Sequence, residues 1–497
     1  MLKDIKSLAK HSSIYGISNL LQKGIGFIMI PVYTHYLTVS DYGILELMDL
    51  TVNVISMLMG VRMGTAIIRY YHHYENPEDK LEVFSTALIF VTLMTIAVVV
   101  ALEFFTKPIA GVVLGNPKYF RYFQIIFISM GIQTIAAVPE SYLLARKESL
   151  VYSMVSIGTL ISYLTFNILF IVVYRMGVMG MLLSMIITKV FNTSSLLIIV
   201  SRQLKLSFSW EKLKKMLIFG LPLVPESFCL FIMHYSDRFF VQKFCALDQL
   251  GQYSLGYKFG MILSFIISEP FFSTWNTQRF EIAKREDAKP TFGRFFTYYS
   301  AVALCAGLGI SVFIDEVIRI MAPKEYQGAT AVVALVVLSY IFYGMANFFN
   351  LGIMLKYKTK YAAYIQMVVA GLNLLFNWFF ISRYGVIGAA FATMLSFLCL
   401  ATLTMTVSQN LYPVPFEWRR VFILFATAVF IYGISRLIHA RFVWSLTLKS
   451  ALMLVFPALL YVGRFFTKDE LEKAKELITA RLSKFRKSDS EKLNAKL

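Results

Sequence analysis

Several basic side chains lie within or at the ends of stretches that are otherwise apolar, and five of them are candidates for function. They are Lys23, Arg62, Arg69, Arg238 and Lys258. A charged side chain at the centre of a bilayer costs about 2.5 to 3.5 kcal/mol, so one that is retained usually faces a bundle interior or a wet cavity. Lys23 is the most informative, because residues 12–37 contain no carboxylate that could pair with it. These cations predict a basic cavity that binds an anionic cargo.

Four carboxylates lie in the same apolar stretches. They are Glu46, Asp49, Glu226 and Glu269. They could couple transport to a gradient of Na+ or H+, or they could be salt-bridge partners of the bases in a structural network. Asp237, which directly precedes Arg238, is expected to be a structural partner at a helix end.

The elements that position these charges are predicted to be membrane-spanning helices. Of the 497 residues, 58% are hydrophobic and 15% are charged, and the mean hydropathy is +0.65. Apolar runs of roughly 20 residues recur about fourteen times with short polar breaks. Turn signals between strands are missing, so helices are favoured over a barrel. We expect an all-α integral membrane protein of about fourteen transmembrane helices.

The distribution of charge predicts the orientation. A net charge of +19 would suggest nucleic-acid binding in a soluble protein, but in a membrane protein the position of the charges matters more. With the N-terminus in the cytoplasm, roughly 31 Lys and Arg fall in the inside loops and tail, against roughly 9 outside. We therefore expect cytoplasmic termini, contacts with membrane lipids and no nucleic-acid partner.

An internal repeat with an offset of 208 residues is the main organisational signal. Three pairs of segments share it, the last with two residues of slippage: Arg175-Met-Gly-Val-Met-Gly180 and Arg383-Tyr-Gly-Val-Ile-Gly388, Gly43 and Gly251, Phe166-Asn167 and Phe376-Asn377. Such glycines also permit close helix packing, but packing alone does not explain a shared offset. Six helices per repeat predict two parallel halves related by an axis along the membrane normal, with a cavity on that axis.

The repeat predicts five regions. They are an N-lobe of helices 1–6 (1–200), a cytoplasmic interfacial linker (201–215), a C-lobe of helices 7–12 (216–407), helices 13 and 14 (408–463), and a basic amphipathic cytoplasmic tail (464–497). Thr467 and Glu470 have the spacing of a capping box at the start of the tail helix. A plain solvated helix is the alternative interpretation of that tail.

Cysteines and histidines form no set with the spacing of a metal or redox site. The four cysteines are isolated: Cys229, Cys245, Cys305 and Cys399. No acid, base and nucleophile cluster in the sequence either. We therefore expect no metal, no cofactor, no catalytic residue and no enzymatic activity.

Short motifs in both halves indicate a family. They are Lys23-Gly-Ile-Gly-Phe27, Pro31-Val-Tyr33 and Leu37-Thr-Val-Ser-Asp-Tyr-Gly43 in the first half, and Tyr235-Ser-Asp-Arg-Phe239 and Gly251-Gln-Tyr253 in the second. These motifs resemble those of Wzx-type polysaccharide flippases in the multidrug/oligosaccharidyl-lipid/polysaccharide (MOP) exporter superfamily. The resemblance covers essentially the whole chain.

The resemblance implies a function in surface polysaccharide synthesis. Such flippases move undecaprenyl-diphosphate-linked oligosaccharide repeat units from the cytoplasmic to the outer leaflet of the bacterial inner membrane by alternating access. The products are O-antigen lipopolysaccharide, capsule or exopolysaccharide, and polysaccharide polymerase machinery is an implied partner. The coupling, if any, would be to Na+, H+ or the membrane potential.

Three alternatives remain open at this point. Lipid II flippases look similar, and Lys23 stands where they place a helix-one arginine, but their second arginine falls at Ile28 or Met29 here. Cation-coupled multidrug exporters of the superfamily often carry a carboxylate in helix one, which this chain lacks. A membrane glycan polymerase or glycosyltransferase should show a large outside loop or a clustered acid, base or metal site.

Overall fold

The computed structural model describes residues 24–201, 207–438, 440–468 and 470–472. Every regular element within these residues is a helix, which confirms the predicted all-α class. Three parts of the sequence-based predictions lie outside the described residues: Lys23, residues 202–206 of the linker and residues 473–497 of the tail.

The helices are labelled in chain order. They are α1 (Ile30–Tyr36), α2 (Val39–Gly60), α3 (Met63–His73), α4 (Pro77–Phe104), α5 (Thr106–Leu114), α6 (Phe120–Ala145), α7 (Ser149–Asn167), α8 (Gly177–Ser201), α9 (Trp210–Gly220), α10 (Val224–Phe244), α11 (Leu247–Leu263), α12 (Glu269–Ile282), α13 (Ala288–Met321), α14 (Thr330–Phe349), α15 (Leu351–Leu355), α16 (Thr359–Leu411), α17 (Trp418–Leu437) and α18 (Phe442–Val462). Single 3₁₀ or π segments join several of them, including Leu221–Leu223 and Ser264–Ser268.

Length and composition make the chain a multi-pass membrane protein. Within the described residues, 11 helical segments are long and apolar enough to cross a membrane. One of them, Thr359–Leu411, turns a corner at Gly385, where φ is 56° and ψ is −136°. The total of about fourteen helices and the orientation stay predictions.

The chain divides into two compact units. The first comprises Met1–Met261 and Val317–Ser408, and the second comprises Ile262–Glu316 and Gln409–Leu497. The first unit contains α2, α10 and α11, which carry most of the charges of interest. The predicted boundaries of lobes, linker and tail stay predictions.

The sequence repeat coincides with a recurring backbone corner in the first unit. Gly177 and Gly385, 208 residues apart, both adopt positive φ, at 57° and 56°. This left-handed region is open to glycine at little steric cost. Three residues later, Gly180 and Gly388 pack against carbonyl groups of Phe170 and Phe380, where a Cβ would crowd the oxygen. The repeated Arg-x-Gly-Val-x-Gly segments therefore share a glycine at positive φ and a close backbone contact three residues later.

Repeat-related asparagines are buried and make similar attachments. Asn167 accepts a hydrogen bond from the hydroxyl of Tyr33, at 3.2 Å. Asn377 donates to the hydroxyl of Ser236, at 3.0 Å. Each bond ties a later helix of its half to that half's predicted first helix.

Two helix breaks lie against each other in the first unit. Val61 and Arg62 separate α2 from α3 with φ values of 40° and 52°, which are unusual for side chains with a Cβ. Gly220 ends α9, and a Cβ there would overlap the carbonyl oxygen of Val61. The absence of a side chain at Gly220 thus lets the end of α9 pack directly against the break between α2 and α3.

Ion pairs join separate segments of the second unit. Lys449 of α18 contacts both carboxylate oxygens of Glu316 on α13, at 2.8 and 2.9 Å, and both side chains are buried. Arg420 of α17 forms a bidentate contact with Glu470, at 2.9 and 2.8 Å. The predicted capping box is present, because the Thr467 amide donates to Glu470 and the Glu470 amide donates to Thr467.

Candidate anion site and its ion pairs

The candidate site lies beside a close crossing of α2 and α11. Gly43 packs against Gly251, and a Cβ on Gly43 would lie 2.7 Å from the Leu247 carbonyl oxygen. A Cβ on Gly251 would overlap the carbonyl oxygen of Val39. We call this contact the crossing. Because neither helix has a side chain at the contact point, their backbones approach closely enough for charged groups nearby to meet.

Two further contacts hold the crossing together. Ser40 donates a hydrogen bond to Asp248, and the Tyr326 hydroxyl donates to the carbonyl oxygens of Leu37 and Thr38, at 3.2 and 3.1 Å. The turn between α1 and α2 is thereby joined to segments more than 200 residues away. In the described conformation, this end of the first unit is closed.

Lys258 is the accessible cation of the site. Its Nζ lies 3.1 Å from Oε2 of Glu46 and donates to the hydroxyl of Tyr42 at 3.0 Å. The Lys258 side chain is 40% exposed, whereas that of Glu46 is 12% exposed. Because Lys258 is the more exposed member of the pair, its amino group stays open to another anion.

Arg238 is the buried cation of the site. Its Nη1 donates to Oδ1 of Asp237 at 2.7 Å and to the His234 carbonyl at 2.6 Å, and its guanidinium lies 3.8 Å from the centre of the Tyr257 ring. Oε1 of Glu46 lies 3.8 Å from Nε, which is too long for a hydrogen bond. Arg238 is therefore neutralised mainly by its sequence neighbour.

Asp237 is a structural partner of Arg238, as expected, but it lies in the interior of α10 rather than at a helix end. Oδ1 accepts from the Arg238 amide and guanidinium, while Oδ2 accepts from the hydroxyls of Tyr253 and, at 3.3 Å, Thr393. Both carboxylate oxygens are thus occupied by donors. This saturation fixes the orientation of Arg238 rather than offering a free ligand.

A polar stripe along α2 faces the site. Tyr42, Glu46, Asp49 and Asn53 follow one another at spacings of four, three and four residues, which places them on one helical face. Asn53 donates to Asp49 at 3.0 Å, and Asp49 is exposed. The face combines a partly buried carboxylate, Glu46, with an exposed one, Asp49.

The model of a family described as polysaccharide biosynthesis protein matches residues 8–275, more than half of the sequence. The chain belongs to the polysaccharide biosynthesis protein family. A search of curated proteins gave no match. The recognition of a MOP-type exporter from short motifs is confirmed.

Solved structures of MOP transporters share the fold of this family member. The "Lipid II flippase MurJ, inward closed conformation" aligns with a TM-score of 0.71 and 14% identity over 90% of this chain and 99% of the other. An inward-facing "multidrug resistance MATE family transporter of the MOP superfamily" aligns with a TM-score of 0.60 and 14% identity, over 82% and 96%. A MOP superfamily transporter from Pyrococcus furiosus aligns at 0.51 and 12% identity, over 84% and 96%. At 12–14% identity, these similarities show that the chain has the fold of these transporters.

Arg62 and Arg69 of this family member lie away from Lys258. Arg62 donates from Nε to the Ser227 hydroxyl at 2.8 Å, with a second hydrogen bond from Nη2. It follows Glu46 by 16 residues, which corresponds to roughly 24 Å along a helix at about 1.5 Å per residue. The guanidinium of Arg69 lies 4.3 Å from the centre of the Phe219 ring. Both arginines are exposed and belong to a separate basic region, so the structure does not bring Arg62 and Lys258 together.

The remaining predicted carboxylates are dispersed. Glu226 is exposed in the first turn of α10, directly before the Ser227 that binds Arg62. Glu269 is exposed at the start of α12, in the second unit. Glu46 forms ion pairs with two of the predicted bases, Arg238 and Lys258.

Sequence reasoning did not single out Tyr42 as a partner of Lys258. Nor did it single out the buried aromatic enclosure of Arg238 formed by Tyr253 and Tyr257. The spacing of Tyr42, Glu46 and Asp49 on one face was an available signal. Tyrosine is frequent in this sequence, with 28 residues, so composition alone could not have distinguished these.

Proposed function

We propose that this transporter flips undecaprenyl-diphosphate-linked oligosaccharide repeat units from the cytoplasmic to the outer leaflet of the bacterial inner membrane. The observation that carries the proposal is an accessible lysine, Lys258, held beside a buried arginine, Arg238, next to the crossing. Cations within a membrane protein usually face the bundle interior or a wet cavity, where they can bind a cargo. A diphosphate is an anion suited to them.

The two basic regions suggest an order of events. Arg62 and Arg69, on the predicted cytoplasmic side, would meet the diphosphate first, and Lys258 would receive it deeper in the bundle. Lys23 is proposed to line the same route. The lipid tail would stay in the membrane while the halves rock, so the head group alone needs a polar path.

The membrane potential favours export of an anion. Moving two negative charges outward through an inside-negative potential of about 100 mV releases roughly 4.6 kcal/mol, at about 2.3 kcal/mol per charge. The field alone could therefore bias transport. Coupling to Na+ or H+ through Glu46, Asp49, Glu226 or Glu269 is a separate proposal, which reconstituted transport with each gradient collapsed in turn tests directly.

Export of glycan in cells that lack their own flippase tests the proposal. Lys23→Ala, Arg62→Ala and Lys258→Ala should each reduce export by about tenfold or more, because each removes a charge from the anion route. Lys360→Ala removes an exposed lysine at the start of α16 and is the matched control. Membrane levels of all variants must be equal.

The same assay separates the proposal from its alternatives. Export that persists in all three variants would show that the charges are structural and would remove the support for an anionic cargo. Complementation of a lipid II flippase defect, or drug resistance without glycan export, would reassign the substrate within the superfamily. The proposed inner-membrane location with cytoplasmic termini is checked by topology reporters fused to each end.

A further inference from the structure

Glu46 stands where an anionic cargo would also bind. Its Oε2 is the carboxylate oxygen in contact with Nζ of Lys258, at 3.1 Å. Because 40% of the Lys258 side chain is exposed, an anion can approach the amino group from the side that Glu46 leaves uncovered. The Glu46 carboxylate and a phosphate group would therefore compete for the same cation, Lys258.

The other contact of Glu46 is weak. Oε1 lies 3.8 Å from Nε of Arg238, and this Nε is buried without a hydrogen-bond partner among the described residues. Asp237 already balances the charge of Arg238. If Glu46 withdrew, Lys258 would lose the carboxylate it pairs with, and an incoming phosphate could take that place.

The ion pair also joins two segments that must separate if the crossing opens. Glu46 follows Gly43 by three residues on α2, about 4.5 Å along the helix, and Lys258 follows Gly251 by seven residues on α11. The pair therefore bridges α2 and α11 directly beside the crossing. Its loss would weaken the closed arrangement where the helices touch.

We propose that Glu46 is an internal anion that the cargo displaces: the diphosphate takes its place at Lys258, and loss of the ion pair lets the crossing open. The proposal rests on the proposed function, since it requires an anionic cargo. It also gives a basis for specificity. A head group with more than one negative charge competes well with a single carboxylate for Lys258, whereas a neutral head group has no charge with which to displace it.

Spin labels at Tyr36→Cys and Gln327→Cys report closure of the crossing. Both positions are exposed, and they flank Leu37 and Tyr326, whose hydrogen bond spans the closed end. The four native cysteines are replaced by serine in the full-length purified chain. Inorganic pyrophosphate should reduce dipolar broadening between the labels, whereas sodium chloride at equal ionic strength should not.

Two variants with a matched control isolate the carboxylate. Glu46→Gln should reduce broadening without pyrophosphate, and Lys258→Gln should abolish pyrophosphate binding measured by calorimetry. Glu140→Gln is the control, because Glu140 is another embedded carboxylate but accepts from Asn192 at 3.0 Å instead of pairing with Lys258. It should keep the wild-type response.

The outcomes distinguish this proposal from the one on which it rests. Pyrophosphate that binds through Lys258 without changing the broadening would overturn displacement of Glu46 and leave the proposed anion site intact. Binding that is equal in the wild type and Lys258→Gln, or absent from both, would overturn the anion site and the displacement together.

Discussion

Gly43 and Gly251 lie against each other, although 208 residues separate them in the chain. Ser40 and Asp248, which are joined by a hydrogen bond, have the same separation. Equivalent positions of two repeats meet where the axis relating the repeats passes between them. We infer that the predicted axis runs through the crossing, which places the ion pairs of Lys258 close to the centre of the proposed transport path.

The crossing should tolerate no added side chain. Gly251→Ala places a Cβ onto the Val39 carbonyl oxygen, so α2 and α11 must move apart, and export should fall sharply at normal membrane levels. Gly371→Ala is the control, because no atom lies within 4 Å of the Cβ it would add. Equal export by the two variants would contradict the proposed role of the crossing. The measurement is glycan export together with label separation at positions 36 and 327.

The buried pair of Glu316 and Lys449 should show strong coupling in the second unit. Lys449→Met leaves Glu316 without its cation, and removing one member of a buried pair typically costs about 3–5 kcal/mol. Glu316→Gln should cost less, because Lys449 keeps a longer contact with Asp315, at 3.7 Å. The double variant should recover much of that loss. Arg436→Gln, which removes a partner of Asp315 from a more exposed pair, should cost only about 1 kcal/mol or less. Thermal unfolding in detergent measures all four, and additive losses in the double variant would argue against a coupled pair.

Arg62 should act through its charge rather than through its hydrogen bonds. Ser227→Ala removes the hydroxyl that Arg62 contacts but keeps the cation, so export should change less than twofold, about 0.4 kcal/mol. Arg62→Gln keeps a polar group of similar length but removes the charge, so export should fall by about tenfold. Matching losses in the two variants would instead assign Arg62 to holding the helix break at Val61.

Docking of residues 467–472 should weaken in acid. Burial alone would raise the pKa of Glu470, but hydrogen bonds from Tyr298, the Thr467 backbone and Arg420 outweigh it and lower that pKa below its ordinary value. A lowered pKa contributes stability that is present above the ordinary pKa and is lost as pH falls through the folded-state value. Proteolysis of the C-terminal segment should therefore accelerate as the pH falls below about 4, near the ordinary carboxylate range.

A variant without the carboxylate provides the control for this pH dependence. Glu470→Gln removes the ionisable group and should make cleavage fast already at neutral pH, with little further change in acid. Acid-dependent cleavage that persists in Glu470→Gln would place the titrating group elsewhere. Glu472→Gln, two residues away in the described segment, should behave like the wild type.

Much of the fold was predictable because membrane helices carry their signature locally. Long apolar runs predicted helices, and the repeated glycines predicted recurring geometry that Gly177 and Gly385 display in their matching φ values. The capping box of Thr467 and Glu470 was also readable, since its partners lie three residues apart. The features that were predicted correctly are those whose residues lie close together in the sequence.

The site was only partly predictable because its contacts join distant segments. Helical spacing shows that Glu46 and Asp49 share a face, but it does not show which helix that face meets. Arg62 was expected beside Lys258, and the structure instead gives it Ser227 as a partner, about four turns from Glu46 along the helix. The hydrogen bond between Tyr42 and Lys258 joins residues 216 positions apart, and no local sequence pattern predicts it. The predicted binding roles themselves stay predictions.

Arg238 and Lys258 are matched by Asp237 and Glu46, so this cluster of cations and carboxylates carries no net formal charge when empty. An empty carrier that resets in this state would carry no charge on these four groups through the field. The membrane potential would then act only on the step in which the carrier moves with cargo bound. The total charge that crosses a planar bilayer would therefore be proportional to the number of cargo molecules delivered. The membrane potential would speed delivery and would not slow the return of the empty carrier.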